Sequence, residues 1–168
     1  MKLLIIRHAI AEDRDEFAQS GKPDEQRPLT RAGRRKMKAA AKGLRRAVDT
    51  IDHLATSPLV RAAQTAEIVS DTWGIGGAEV IPALAPEARP EALAEWCAAH
   101  TGKDVVAVVG HEPHLSTLAT WLLSGQSDSR VDLKKGGACL IDMGSEVRAG
   151  SGTLLWLLTP RLLRRLAR

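Results

Sequence analysis

Residues 3–12, LLIIRHAIAE, decide how the fold of this 168-residue chain is interpreted. Leu3 to Ile6 form an unbroken apolar run of strand length, which is typical of a strand buried on both faces of a parallel sheet. The run stops at Arg7 and His8, a fixed cation and a titratable imidazole. Such a pair fits an ordinary surface loop. It also fits a reactive group at the carboxyl end of a buried strand, where open α/β sheets bind their ligands. The dipeptide alone leaves both interpretations open.

Helix and strand signals alternate along the rest of the chain. Thr30 is positioned to cap a helix over 31–47, and the segment 51–58 reads as a second strand. Ser57 is a suitable N-cap and Pro58 a suitable first residue for a helix that runs to Trp73. Further strands or helices are predicted at 79–86, 90–100, 104–110, 114–123, 136–143 and 152–158. The alternation predicts an α/β fold, a three-layer αβα sandwich around a largely parallel mixed sheet. Without repeats or a linker, we expect one domain over residues 1–168.

Two polar segments stand apart from this pattern. Residues 11–30, AEDRDEFAQSGKPDEQRPLT, are too polar to pack, and we expect a functional loop or a partly disordered lid. The basic C-terminal tail at about 160–168, PRLLRRLAR, has leucines at helical spacing between arginines. It is interpreted as a docked terminal helix or a frayed tail, with contact to an acidic partner or a membrane surface as the alternative.

The composition restricts the functional classes. The formal net charge of +4 and the pI near 9.4 favour anionic partners. Aromatic residues are scarce, which argues against stacking on single-stranded nucleic acid, and we expect no nucleic-acid partner. Cys97 and Cys139 are far apart and predict reduced thiols. The apolar runs are too short for a signal peptide or a membrane span, so we expect a cytoplasmic protein without stable membrane insertion.

Three predicted strands end in polar groups that the fold would bring together. Arg7 and His8 follow the first strand, SPLVRAAQTA (57–66) follows the second, and His111 and Glu112 follow the strand at 104–110. The carboxyl ends of parallel strands lie on one edge of the sheet, so two histidines and two arginines can converge there. Arg61 would be the fourth residue of its helix, near the positive end of the helix dipole. Arginine forks match phosphate oxygens, and neighbouring cations favour a neutral, nucleophilic imidazole.

The motifs RHA (7–9), TSPLVRAAQTAE (56–67) and VVGHEP (108–113) together resemble the histidine phosphatase superfamily, which has the phosphoglycerate mutase-like fold. The short length and RPLT (27–30) resemble its SixA-type phosphohistidine phosphatases, and the match runs from Met1 to about Thr159. The resemblance implies that His8 is the nucleophile and that Arg7, Arg61 and His111 complete the phosphate pocket. It gives Arg27 a further pocket or substrate contact, although a loop salt bridge explains this residue nearly as well. Ala9 replaces the glycine of most members.

A general acid is harder to place. Superfamily members that act on phosphate esters usually carry Glu or Asp after the third strand, where this chain reads PALAPEARPE (82–91). Glu87 is the nearby carboxylate, but its spacing differs and prolines flank it, so it is either a solvated surface group or an acid–base residue. The pair His111 and His114 in HEPH lacks the i, i+4 helical spacing of the two-histidine zinc motif, so no metal site is expected.

The sequence therefore predicts a metal-independent phosphatase with no cofactor, acting through a phosphohistidine enzyme intermediate. The expected substrate is phosphohistidine on a protein, such as a histidine-phosphorylated signalling or phosphotransfer protein. A small phosphorylated metabolite and a phosphomonoesterase activity are the alternative within the superfamily. A non-catalytic phosphate-binding module is the alternative from another class. A phosphoglycerate mutase is disfavoured by the small size and the unclear acid.

Overall fold

The computed structural model describes residues 1–100 and 102–168. Six strands and six α-helices follow one another with two 3₁₀ turns, at Asp24–Gln26 and Pro82–Leu84. The strands are β1 (Lys2–Arg7), β2 (His53–Thr56), β3 (Glu79–Val80), β4 (Val105–Gly110), β5 (Ala138–Asp142) and β6 (Thr153–Leu158). The helices are α1 (Arg14–Ala18), α2 (Arg31–Ala47), α3 (Val60–Trp73), α4 (Pro90–Ala98), α5 (His114–Ser124) and α6 (Pro160–Leu166).

The strands form one mixed sheet in the order β3-β2-β4-β1-β5-β6. β3, β2, β4 and β1 are parallel, and β5 and β6 extend the sheet in the antiparallel direction. β1 pairs with β4 in a register that sets Arg7 beside Gly110. The ends of β1 and β4 therefore lie next to each other at the carboxyl edge of the sheet.

Helices cover both faces of the sheet because the central strands are apolar on both sides. Leu4 and Ile6 pack on the side of α2, α3 and α6, whereas Leu3 and Ile5 pack on the side of α4 and α5. This alternation follows from the two-residue period of a strand. The predicted three-layer αβα sandwich with a largely parallel mixed sheet is confirmed.

The segment at 160–168 is a docked helix. Leu163 of α6 is fully buried, and the helix lies against α2. A Cβ at Gly43 of α2 would lie 1.8 Å from the Leu163 carbonyl oxygen, so only glycine permits this close approach. Of the two forms predicted for the tail, the structure contains the docked helix.

Residues 11–30 are more regular than the sequence indicated. They contain α1, which Asp13 caps by accepting from the N–H groups of Asp15 and Glu16, and the 3₁₀ turn at Asp24–Gln26. The helix and the turn bury no side chain, which agrees with the prediction that the segment is too polar to pack, and ion pairs of Asp24 with arginines hold it at the sheet edge. Residues 11–30 are held by polar contacts, whereas hydrophobic periodicity in a sequence reveals only apolar contacts.

Two other boundaries differ from the prediction. Helix α3 begins at Val60, with Leu59 as its N-cap and no side-chain cap, so Ser57 and Pro58 precede it. The Ser57 N–H donates to the Val109 carbonyl, which continues the pairing of β2 with β4 beyond Thr56. Arg61 is therefore the second residue of its helix and not the fourth. The predicted strand at 79–86 is reduced to Glu79–Val80 because Pro82 begins a 3₁₀ turn.

No helix in the described part of the chain is long and apolar enough to cross a membrane. Cys97 and Cys139 are both free and buried. Burial raises the pKa of each thiol to about 12, so neither is a nucleophilic thiolate near neutral pH.

Candidate active site

The carboxyl edge of the sheet holds a cleft of about 450 Å³ formed by three strand ends and the segment 11–30. His8 follows β1 directly, Arg61 lies in the first turn of α3 after β2, and His111 follows β4. The three side chains are buried, with exposed fractions of 6%, 4% and 2%. The lining residues are Arg7, His8, Ala11, Glu12, Asp13, Arg14, Arg27, Arg61, Pro86, His111, Glu112 and Lys135.

His8 has a fixed tautomer and a free ring nitrogen. Its Nδ1 lies 2.7 Å from the Ala9 carbonyl oxygen, which can only accept, so Nδ1 carries the proton. The pKa of His8 is lowered to about 4: burial is the main cause, Arg61, Arg7 and Lys135 also lower it, and the Ala9 hydrogen bond opposes them. At neutral pH the ring is uncharged and Nε2 has a lone pair. Within the described residues Nε2 has no hydrogen-bond partner, so it is available to attack an electrophile.

His111 is held in place through Ser57. Its Nε2 lies 2.7 Å from Ser57 Oγ, and its ring centroid lies 5.1 Å from that of His8. Burial lowers the pKa of His111 to about 3, with smaller contributions from His8 and Arg61. Ser57, which the sequence suggested as a helix cap, instead orients this imidazole. That role depends on a contact across 54 residues, which local sequence signals do not report.

The end of β1 is fixed by a glycine turn. Gly136 has a φ of +76°, which favours glycine, and its N–H donates to the carbonyls of both Arg7 and His8 at 3.1 Å. Arg7 Nη1 donates to the Leu133 carbonyl at 2.8 Å. The connection between α5 and β5 therefore determines where the Arg7 guanidinium and the His8 ring lie.

Asp24 holds the second arginine. Arg61 Nη2 lies 3.2 Å from Asp24 Oδ2, and Arg61 Nη1 donates to the Asp24 carbonyl at 3.0 Å. The other carboxylate oxygen, Oδ1, accepts from Arg27 Nε at 2.7 Å and lies 3.6 Å from Arg14 Nε. Hydrogen bonding to Arg27 is the main cause that lowers the pKa of Asp24 below its usual value, with Arg61 and Arg14 adding to it. One carboxylate thus orients three cations of the cleft.

Arg27 combines the two interpretations that the sequence left open. It forms the loop salt bridge to Asp24 and donates through Nη1 to the Glu12 carbonyl at 2.8 Å. It also lines the cleft and is only 7% exposed. A buried guanidinium held on two sides is oriented to bind an anion entering the cleft.

Comparison with known proteins agrees with this geometry. The model of the histidine phosphatase superfamily (branch 1) matches residues 3–85. An uncharacterized protein of Picosynechococcus sp. is 35% identical over 95% of this chain and 96% of its own length. The chain belongs to the histidine phosphatase superfamily.

Within the superfamily the chain is similar to SixA-type proteins. The phosphohistidine phosphatase SixA of Escherichia coli is 28% identical over 95% of this chain and 94% of that protein. The structure of a protein histidine phosphatase SixA complexed with tungstate superposes with a TM-score of 0.83 and 28% identity, over 97% of this chain and 99% of that one. The SixA-type resemblance of the motifs is confirmed at the level of family and fold.

Of the two alternatives left open for Glu87, the structure agrees with the solvated surface group. Glu87 is exposed, and the residue of this segment that lines the cleft is its neighbour Pro86. Glu112, directly after His111, lines the cleft instead. Burial raises the pKa of Glu112, and Ser116 donates a hydrogen bond to its Oε2. The sequence placed Glu112 at a strand end but gave it no role, because neither its burial nor its contact with the cleft is visible locally.

A group with metal-ligand chemistry lies at the opposite, amino edge of the sheet. His53 begins β2, Glu79 begins β3, and His100 precedes β4, with their ligand atoms within 4.8 Å of one another. His53 Nε2 lies 2.8 Å from Glu79 Oε2, and the His53 and His100 rings stack at 4.5 Å. The two edges of the sheet are separate, so this group contributes nothing to the cleft. In the cleft, the arginines and the lysine suit an anion better than a cation.

Proposed function

We propose that this chain is a phosphatase that dephosphorylates phosphohistidine on a protein through a phosphohistidine intermediate on His8. The observation that carries the proposal is the neutral, buried His8 ring, whose free Nε2 lies in a cleft lined by four arginines. In this proposal residues 1–168 act as one catalytic domain, and no metal ion takes part. Membership of the superfamily and the similarity to SixA support it.

The first step transfers the phosphoryl group to His8. Nε2 of His8 attacks phosphorus in line, an Nε2–P bond forms, and the P–N bond of the substrate breaks. Arg7, Arg61 and His111 bind the equatorial oxygens, over which the negative charge of the transition state is spread. Because Asp24 and the Leu133 carbonyl hold the two guanidinium groups in advance, little reorganisation is needed when the charge develops.

The second step hydrolyses the intermediate. Water attacks the phosphorus of phosphorylated His8, the Nε2–P bond breaks, and inorganic phosphate leaves with the proton of that water passing to solvent or to phosphate. Nδ1 of His8 keeps its proton through its bond to the Ala9 carbonyl. The ring therefore returns to the state in which it began.

The experiment that tests this proposal is a rapid-quench labelling. After brief incubation with a radiolabelled phosphohistidine peptide, we expect acid-labile and alkali-stable phosphate on His8 of the wild type. His8→Ala should lose both the label and the turnover, whereas Glu87→Gln, outside the cleft, should keep both. Full turnover in His8→Ala, or a label on another residue, contradicts the mechanism.

Chelators should leave wild-type turnover unchanged. Loss of turnover with a chelator that is restored by zinc or magnesium contradicts metal independence.

Glu112 favours a second candidate, a phosphomonoesterase that uses the same cleft. Cleaving an ester releases an alkoxide unless a proton arrives, and a positioned general acid contributes about 10²–10⁴-fold. Cleaving phosphohistidine makes a smaller demand, because the leaving imidazole can carry a proton at neutral pH. A carboxyl with a raised pKa beside His111 can supply such a proton.

The two candidates differ in their response to Glu112→Gln. We measure kcat/KM for a phosphohistidine peptide and for phosphoserine in wild type, Glu112→Gln and Glu87→Gln. A preference for phosphohistidine that survives Glu112→Gln supports the phosphohistidine phosphatase. Efficient ester hydrolysis that falls by about 10²-fold or more in Glu112→Gln alone makes Glu112 the acid and the chain a phosphomonoesterase.

A further inference from the structure

Three grooves that share lining residues run from the cleft along the surface of α2 and α6. Lys135 lines both the cleft and a second groove of about 160 Å³. Arg164 lines that second groove and a third, and Lys38 and Lys42 line the third and a fourth. The shared residues make one continuous path. We call its cationic side chains the basic track: Lys135, Lys36, Arg164, Arg35, Arg168, Lys38, Lys42, Arg45 and Arg46.

The basic track is not neutralised by the protein itself. Throughout residues 1–100 and 102–168, none of its nine cations forms a salt bridge, and no Asp or Glu side chain lines the second or third groove. Arg45 and Arg46 donate only to backbone carbonyls. Asp49 and Asp71 appear at the far end, in the fourth groove. A row of uncompensated like charges repels itself, which leaves binding energy available to an anionic partner.

The close packing of α2 and α6 creates this row. Gly43 lets the Leu163 backbone approach α2, and the burial of Leu163 fixes the helix pair. Their outward faces, with Arg35, Lys38 and Lys42 on α2 and Arg164 on α6, then border a common groove of about 460 Å³. The basic faces of α2 and α6 therefore lie side by side and form a single cationic surface.

We infer that the basic track docks the acidic surface of a protein whose phosphohistidine reaches His8. The inference rests on the proposed function and adds the chemistry of the partner to it. Continuity with the cleft through Lys135 favours a substrate over an unrelated ligand. The carboxylates of Asp49 and Asp71 at the far end would repel a uniformly anionic nucleic acid or membrane, whereas a protein surface can present a cation there.

Two peptides test the inference. Both carry one phosphohistidine, one flanked by a run of Glu and Asp and the other by Ser and Gly of equal length. We expect a wild-type kcat/KM about ten-fold higher for the acidic peptide in low salt, with the difference shrinking as salt screens the charges. The triple variant Lys38→Glu, Lys42→Glu, Arg164→Glu should lose the difference while hydrolysing free phosphohistidine at the wild-type rate.

The matched control is Lys2→Glu, Lys103→Glu, Arg130→Glu, which changes the net charge equally at exposed positions away from the basic track. This control variant should keep most of the preference in kcat/KM for the acidic peptide. An equal loss in both triple variants, no wild-type preference, or competition by anionic vesicles or duplex DNA as strong as that by the acidic peptide overturns the inference. If the track variant does not fold, the charge-removing variant Lys38→Gln, Lys42→Gln, Arg164→Gln replaces it, and an undiminished preference for the acidic peptide in that variant overturns the inference. Failure of the proposed function is distinct, because wild type would then hydrolyse none of the phosphohistidine substrates.

Discussion

At the carboxyl edge of the sheet His8 and His111 are buried beside arginines, whereas at the amino edge His53 and His100 are half-buried beside Glu79. At the first edge, burial lowers the histidine pKa values to about 4 and about 3. At the second, the hydrogen bond from His53 lowers the pKa of Glu79 instead. Histidine thus provides an uncharged candidate nucleophile at the carboxyl edge, whereas at the amino edge it is a hydrogen-bond partner of a surface glutamate.

The difference shows that the environment, and not the residue type, assigns chemistry to a histidine. Parallel strands bring helix starts and loop cations to their carboxyl ends, and the segment 11–30 covers that edge. The amino ends of β2 and β3 are reached through short connections, residues 48–52 and 74–78. This asymmetry between the two edges should have measurable energetic consequences.

After the loss of His8 itself, the largest effect is expected for Arg61. Arg61→Ala removes one buried, preorganised donor from the phosphate pocket, and loss of such a donor costs about 2–4 kcal/mol of transition-state stabilisation. We therefore expect kcat to fall about 10²–10³-fold with a phosphohistidine peptide. The matched control is Arg34→Ala, a half-buried arginine outside the cleft whose ion pair with Glu67 spans 4.0 Å, and its kcat should be unchanged. Similar losses of kcat in both variants would mean that an arginine inside the cleft contributes no more to catalysis than one outside it.

A smaller effect is expected for the acid stability of the fold. His8 titrates at about pH 4 in the folded protein but at about 6.5 when unfolded, so the unfolded chain takes up the proton first. The free energy of unfolding should therefore fall as pH decreases from about 6.5 to about 4, by on the order of 3 kcal/mol from His8 at most. Urea titrations at several pH values measure this slope. His8→Gln should make the slope shallower, and the remainder is expected from His111, whose pKa is also lowered by burial. A slope unchanged by His8→Gln contradicts the burial of a neutral His8 ring.

Much of the fold follows from local patterns in the sequence. The run Leu3–Ile6, the Thr30 cap with the apolar stripe of α2, and the apolar segment of β4 each carry their periodicity within one element. The convergence of His8, Arg61 and His111 followed from the strand order, because a parallel sheet brings the carboxyl ends of its strands to one edge.

What the sequence did not reveal depends on contacts between distant residues. Asp24 bonds to Arg61 across 37 residues, and Ser57 bonds to His111 across 54. Neither leaves a periodic or motif signal, and the polarity of 11–30 left a functional loop and a partly disordered lid both open, although Asp24 in this segment pairs with three arginines. Glu112 was visible as a strand-end residue, but its raised pKa depends on burial that no short pattern encodes.

The smallest effect is expected at the amino edge. His53 and Glu79 form a 2.8 Å hydrogen bond, but their side chains are 31% and 45% exposed, so solvent screens the pair. A double-mutant cycle with His53→Gln and Glu79→Gln should give a coupling of about 0.2–1 kcal/mol at pH 7, decreasing with salt. The hydrogen bond lowers the pKa of Glu79, so its contribution is present above the unfolded pKa and is lost as pH falls through the folded value.

The same variants separate the two edges functionally. Because His53 and Glu79 lie at the strand ends remote from the cleft, kcat for a phosphohistidine peptide should match wild type in both single variants and in the double variant. A coupling of several kcal/mol would mean that the pair is effectively desolvated and resembles the cleft. A loss of turnover with intact stability would mean that the sheet transmits strain from one edge to the other. Either result would remove the contrast between a reactive carboxyl edge and an ordinary amino edge.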